Sequence, residues 1–318
     1  MSYQLPPDFW PQQVSGVNDV ISAIGEGARR LVLTSPCGGG KTKMAIALIE
    51  WGKDESMPSA LYTSRRMLFN QTAGVLEDHG LTVGLRASGR KPALLQDIQL
   101  CMTQSELSAV YKQKRRELHR AKIVLIDEIH MQGGFAMNQI IKDHYDAGAA
   151  VVALTATPLD LEGEWDRLII AGTNKELREC GAHVPAVTYC PDEPDLKHIK
   201  NYKVGEDMTD KENAKSIMRP GVFGRVFDNW QRLNPECKPT ILFAPDVAGS
   251  IYFAEQFHKK GYRAAHIDAK QIWLDGEYLP SDDETRTEVL AKSERGEIDV
   301  LCNRFVLREG IDLPHIAH

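Results

Sequence analysis

The sequence predicts an α/β protein of two parallel-sheet lobes, and three observations carry that expectation. Short β-branched apolar runs alternate with helical patterns through the first half, the runs lack polar alternation, and the same rhythm resumes after a polar interval. In order, "RLVLTS" precedes "KTKMAIALIEW", "ALYTS" precedes "RMLFNQTAGVLEDHG", and "KIVLIDE" and "AAVVALTAT" follow. Unbroken apolar strands are what a sheet covered on both faces requires. Beyond Pro158 the pattern turns polar, and "CPDEPDLKHIKNYKVGEDMTDKENAK" reads as a surface connection. A boundary near residue 185 follows, giving an N-terminal lobe over 1–185 and a second over 186–318. In the latter, "KPTILFAP", "YRAAHID" and "DVLCNRF" are separated by helical segments such as "GSIYFAEQFHKKG".

Composition excludes several classes. The chain has 318 residues, 42% apolar and 26% charged, which suits two ordinary globular lobes and neither a disordered nor a fibrous protein. No apolar run approaches membrane-spanning length, and "MSYQLPPDFWPQQ" lacks the basic start and apolar stretch of a signal peptide, so a cytoplasmic protein with no membrane association is expected. The six cysteines are scattered without a CxxC pair, favouring reduced thiols. A net charge of −6 argues against a histone-like nucleic-acid binder but leaves room for a local basic track. The basic cluster "VYKQKRRELHRAK", residues 110–122, reads as a solvated helix face.

The stretch "SPCGGGKT" supplies what a triphosphate needs. Gly38, Gly39 and Gly40 permit backbone conformations and a close approach that a Cβ would block, so successive N–H groups can face phosphate oxygens. The helix opening at Lys41 offers its free amides and positive dipole end to the same anion. Lys41 is placed to reach the β and γ phosphates and the Thr42 hydroxyl to ligate Mg²⁺. Ser35 stands where the commonest form of this loop has its first glycine. In "KIVLIDEIH", Asp127 and Glu128 close a buried apolar strand, where adjacent residues point to opposite sides. Two carboxylates can then divide the work, Asp127 holding Mg²⁺ and Glu128 orienting or deprotonating the attacking water. Hydrolysis is implied more than transfer to another acceptor.

With these residues in place the chain resembles superfamily 2 helicases and translocases of the DExH type, here "DEIH". That resemblance implies a P-loop NTPase of tandem RecA-like lobes, using ATP and Mg²⁺ and binding nucleic acid, with DNA favoured over RNA. "LTATP" is similar to the family's Ser/Thr-Ala-Thr motif, so Thr155 and Thr157 are carried over as coupling residues. His130 either joins that coupling or is a strand-end histidine satisfied locally. "YTSRRMLFNQT" and "CMTQSEL" resemble the motifs that grip the strand backbone, which assigns Arg65, Gln71, Thr103 and Gln104 to nucleic acid. "FWPQQVSGV" looks like the adenine-reading glutamine motif, with Gln13 as the reader and Gln12 as the alternative. "VLCNRFVLREGIDLP" is similar to the second-lobe motif ending Gly-x-Asp-x-Pro. There Gly310 and Asp312 match as nucleotide contacts, and Arg304 replaces a common threonine as a phosphate-binding position.

The family's sixth motif, which carries an arginine finger worth about 10³ to 10⁵ in rate in related hydrolases, has no counterpart before His318. The expectation is a piece of a longer protein with an incomplete second lobe, which binds ATP but hydrolyses it weakly, and a further domain or partner at the absent end. The leading expectation is an ATP-dependent helicase or translocase; the alternative is a nucleotide-gated nucleic-acid or protein clamp that unwinds nothing. A P-loop kinase is disfavoured by Glu128 beside Asp127 and by the TAT element. Cys180, His183 and Cys190 lack a fourth ligand at regular spacing and are not read as a metal site. His266 and Asp268, at a strand end, read as a surface pair, and Trp51, Trp165 and Trp230 as packing residues.

Overall fold

Apolar runs without alternation need cover on both faces, and the first sheet has it. The computed structural model describes residues 3–91, 93–132, 134–159, 164–184, 186–189, 220–304, 306–307, 313 and 315–316. The chain divides into two compact units, Met1–Val187 and Thr188–His318.

The strands of the first unit are β1 (Arg30–Thr34), β2 (Ser59–Thr63), β3 (Val83–Arg86), β4 (Ile98–Met102), β5 (Ile123–Ile126), β6 (Ala150–Thr155) and β7 (Arg167–Ile170). They form a seven-stranded sheet in the order β3-β4-β2-β5-β6-β1-β7, and every pairing is parallel. Alternate residues serve opposite cores. Leu31, Leu33, Leu61, Leu125, Val152 and Leu154 pack with α1 (Pro11–Gly25), α2 (Lys41–Asp54) and α3 (Arg66–Asp78). Val32, Ala60, Tyr62, Val124, Ile126, Val151 and Ala153 pack with α5 (Phe135–Asp146) on the other face. That division is why the runs are apolar at every position. The parallel pairing also brings the C-terminal ends of β1, β2, β4, β5 and β6 to one edge, where ligands bind in open α/β sheets.

Three strands lie outside the apolar runs that the sequence made plain. β3 and β4 occupy the interval between α3 and the basic cluster, and β7 is an edge strand of which only Ile169 is buried. The polar stretch beyond Pro158 is thus partly core, since Ile169, Ala171 and Leu177 are all buried. The basic cluster is not a helix face. α4 (Thr103–Glu106) continues as a π-helical turn that ends at Lys112, and Lys114 has a φ of 50°, a left-handed conformation that stops any helix. Within this region Glu106, fully buried, pairs with Arg86 at 3.4 Å and with Arg116. Burial still pushes the Glu106 carboxyl above the usual range, against the pull of both guanidinium groups.

The second unit contains α7 (Pro220–Leu233), β8 (Thr240–Phe243), α8 (Val247–Lys259), β9 (Ala264–Ile267), β10 (Ile272–Leu274), β11 (Glu277–Leu279), α9 (Asp283–Glu294) and β12 (Val300–Asn303). Its sheet runs β11-β10-β9-β12-β8, with β9, β12 and β8 parallel and β10–β11 an antiparallel hairpin. Asp275 and Gly276, with φ of 46° and 104°, turn that hairpin, as Asp-Gly pairs do. Asp246 and Asp282 accept the Gly249 and Thr285 amides at 2.6 and 2.7 Å, capping α8 and α9. Phe223, Phe227, Trp230 and Phe257 form the aromatic centre of the core, and the Trp230 indole N–H donates to Thr240 Oγ1 at 2.9 Å. The surface reading of His266 and Asp268 is corrected, because they are 0% and 4% exposed beneath α8 and the hairpin. The hairpin, unforeseen in the sequence, extends the sheet beyond β9, and Trp273 of β10 pairs with His266 itself.

Candidate nucleotide-binding site

The loop between β1 and α2 has the backbone its glycines make possible. Gly38 and Gly40 have φ of 74° and 78°, which L residues adopt only under strain, and Gly40 is the N-cap of α2. A Cβ at Gly39 would lie 2.0 Å from Ser35 Oγ. The Ser35 hydroxyl is buried with no hydrogen-bond partner, an unused polar group beneath a cradle of amides. Lys41 is buried, with its ammonium 3.5 Å from the Ser35 carbonyl and 3.8 Å from Glu128 Oε1. Thr42 is exposed at the first turn of α2. Together these groups suit a polyphosphate, with amides and an ammonium on one side and a hydroxyl free for a cation on the other.

The carboxylates differ from the strand-end expectation. β5 stops at Ile126, and Glu128 has φ 48° and ψ 53°. With this left-handed residue both carboxylates feel the Lys41 ammonium, Glu128 at 3.8 Å and Asp127 through its charge, where strict strand alternation would part them. Desolvation, reinforced by Glu128 and opposed by Lys41, lifts the Asp127 carboxyl to about 6. Among the described residues no group of three His, Cys, Asp or Glu is disposed to hold a metal ion, and Cys190 lies outside them. Asp127 and Thr42 fit instead a Mg²⁺ bound through few protein ligands and the phosphates of its nucleotide.

His130 lies between the DEIH carboxylate and the TAT turn. Its Nδ1 lies 3.0 Å from Thr155 Oγ1 and 3.4 Å from Glu128 Oε2. Thr155 Oγ1 also donates to the Thr157 carbonyl at 3.1 Å and accepts the Thr157 amide at 3.0 Å. With the threonine proton given to that carbonyl, His130 Nδ1 donates to Thr155 Oγ1, and the Glu128 carboxylate lies close to the same nitrogen. Thr155 in turn sits beside the phosphate loop, since the Ser35 amide donates to its carbonyl at 3.2 Å.

The remaining predicted residues divide. Arg65 is half-buried at the N-cap of α3, Gln71 is exposed on that helix, and Gln104 is exposed at the start of α4, all near the strand-end edge. Thr103 is buried and donates to Gln132 Oε1 at 2.6 Å, while Gln132 Nε2 donates to the Asp127 carbonyl. The Thr103 hydroxyl therefore braces the Asp127 turn. Gln13 is buried, with Oε1 accepting the Trp10 amide at 3.0 Å and Nε2 donating to the Gly39 carbonyl at 3.0 Å, so both of its polar ends are committed here. Gln12 donates to Cys180 Sγ at 3.4 Å. Arg304 is half-buried just after β12, and Gly310 and Asp312 lie outside the described residues. Gln132 was given no role by the sequence, and His183 was weighed there only as a metal ligand. Gln132, two residues past the DEIH element, was findable from that spacing; His183, far from any motif, was not.

The fold is a RecA-like P-loop α/β fold, like that of the helicase structures it resembles. Residues 7–160 match the family described as "Type III restriction enzyme, res subunit". The 51.5 kDa protein of Lactococcus phage (isolate 7-9) is 25% identical over 292 residues, which cover 89% of this chain and 56% of the relative. The chain thus spans little more than half the length of that curated relative. Among solved structures, the Pyrococcus furiosus Hef helicase domain is similar with TM-score 0.51 and 14% identity, covering 94% of this chain and 87% of that one. Mycobacterium smegmatis helicase Lhr, bound to ssDNA and AMP-PNP, gives 0.56 at 18% identity, covering 98% of this chain and 43% of Lhr. The DUF1998 helicase MrfA, bound to DNA, gives 0.60 at 14% identity, with 98% and 46% covered. No described helix is long and apolar enough to cross a membrane.

Proposed function

We propose that this chain is the ATP-hydrolysing part of a nucleic-acid helicase or translocase, acting on DNA in preference to RNA. The observation that carries the reading is the convergence of Lys41, Asp127, Glu128, His130 and Thr155 at one strand-end edge. The phosphate loop and Lys41 bind and orient the β and γ phosphates. Glu128, held between Lys41 and His130, orients the attacking water and accepts its proton. Mg²⁺, held by Asp127 and the Thr42 hydroxyl, would neutralise charge on the β and γ oxygens. His130 passes any movement of Glu128 to the Thr155–Thr157 turn, which is how hydrolysis would reach the grip on a strand. Arg65, Gln71 and Gln104 are the proposed backbone contacts on the same edge, largely sequence-independent and weakened by salt. Thr103 supports them from beneath. The second unit's proposed contributions are Arg304, Gly310 and Asp312.

The titles of Lhr and MrfA, which name DNA-bound forms, support the nucleic-acid part of this reading. The test is steady-state ATP hydrolysis with and without single-stranded DNA or RNA, in the wild type and in Glu128→Gln. The expected result is a slow, DNA-stimulated rate that Glu128→Gln lowers about 10²-fold or more while nucleotide still binds. A rate unaffected by Glu128→Gln would remove its role, and binding without hydrolysis under any condition would favour a nucleotide-gated clamp.

A further inference from the structure

A loop whose N–H groups converge on an anion turns its carbonyls outward, and those carbonyls need donors if the loop is to hold its shape before the anion arrives. Two are provided. Gln13 Nε2 donates to the Gly39 carbonyl at 3.0 Å, and on the neighbouring turn His183 Nε2 donates to the Cys37 carbonyl. A carbonyl only accepts, so Nε2 of His183 carries the proton. The imidazole packs so closely that a Cβ at Gly38 would stand 2.9 Å from Nε2.

His183 is fixed by its own segment. Its amide donates to the Leu177 carbonyl at 3.0 Å, and Leu177 is fully buried on α6 (Asn174–Glu179). Thr173 and Glu176 close the start of that helix with a reciprocal capping box. α1 holds the same segment from the other side. Gln12 donates to Cys180 Sγ at 3.4 Å, and a Cβ at Gly172 would lie 2.8 Å from Gln12 Cγ. One helix thus reaches the phosphate loop twice, directly through Gln13 and through the 172–183 segment by way of Gln12.

We propose that His183 is a positioning residue of the nucleotide site, which with Gln13 preorganises the phosphate loop by occupying its outward carbonyls. It needs no contact with the nucleotide. This rests on the reading of the loop as a nucleotide site. The 172–183 segment lies beyond residues 7–160, which match the family, so it is a feature of this chain outside the matched motifs.

The experiment is a binding titration of ADP and of pyrophosphate, with Mg²⁺, to the wild type, His183→Ala, His183→Gln and Lys41→Ala. Loss of one donor from a preorganised loop should weaken ADP and pyrophosphate alike by roughly three- to tenfold in His183→Ala. His183→Gln, which keeps a donor of similar reach, should recover binding to within about twofold of wild type. Melting of each nucleotide-free variant shows that it is folded. Unimpaired or tighter binding in His183→Ala would overturn the proposal, as would failure of His183→Gln to rescue. Weaker ADP with unchanged pyrophosphate would also overturn it, since His183 would then touch the base or ribose. A wild type that binds neither ligand would instead overturn the nucleotide site itself, and Lys41→Ala separates that outcome from the others.

Discussion

Each unit carries a histidine beside a carboxylate at the C-terminal end of a parallel strand, and the two pairs are built on opposite terms. In the first unit His130 and Glu128 lie 3.4 Å apart with side chains 23% and 19% exposed. In the second His266 and Asp268 lie 3.3 Å apart at 0% and 6%. Around the first pair the backbone is strained at Glu128, a lysine is buried, and the Ser35 hydroxyl has no partner. Around the second, Ser250 Oγ and His266 Nδ1 share a hydrogen bond of 2.6 Å, and Asp268 Oδ1 accepts the Lys270 and Gln271 amides at 2.5 and 2.7 Å. The same side-chain chemistry is left open to a ligand in one unit and closed into structure in the other.

The largest effect that would break this contrast is in the second unit. His266→Ala should destabilise it by about 2–4 kcal/mol, through the cavity left and the Ser250 hydroxyl stranded in it. Burial holds the His266 imidazole below its ordinary 6.5. The unfolded chain therefore binds more protons, and wild-type stability falls as the pH drops below 6.5. Removing His266 should blunt that acid sensitivity. Hydrogen exchange of the β9 amides reads it unit by unit, and unchanged protection would mean the pair is not structural.

A smaller effect of opposite sign is expected in the first unit. Asp127 has a folded value of about 6 against 3.8 for the free group. Ionising it in the fold therefore costs stability, with the cost accruing as pH rises through that window and complete above about 6. Asp127→Asn should stabilise β5 by about 2 kcal/mol near pH 8, the gain shrinking as the pH falls toward 3.8. Metal-dependent nucleotide binding should be lost in the same variant. A variant that is less stable near pH 8 would show that the carboxylate braces the fold and is not held for a cation.

Much of this contrast was legible in sequence on one side only. The phosphate loop, the DEIH element and the TAT turn are local in the chain, and parallel pairing brings local strand ends together, so their convergence followed from the strand pattern. The left-handed Glu128 did not, because nothing in "LIDEIH" distinguishes a strand's last residue from a turn. The burial of His266 depends on a hairpin whose Asp275-Gly276 turn was present in "WLDGEYL" but sits between strands of three residues each, too short for a period to register. β3 and β4 escaped because Gly84 and Gln99 interrupt their apolar runs, whereas β7 is the apolar run "RLII" set in a polar stretch, with Leu168 and Ile170 exposed at the sheet edge. His183 reaches Cys37 across 146 positions of sequence, in a segment that Gln12 of α1 touches at Gly172 and Cys180.

If the contrast holds, a nucleotide sits on the strand ends of the first unit, and the buried His266–Asp268 pair of the second takes no part in holding it. That is tested most directly by equilibrium binding of a fluorescent ADP in Mg²⁺ to the wild type, Lys41→Ala and His266→Gln. Saturable binding at one site per chain is expected, weakened by about 10²-fold or more in Lys41→Ala and unchanged in His266→Gln wherever that variant is folded. Binding that survives Lys41→Ala, or that disappears with His266→Gln in a folded chain, would contradict it.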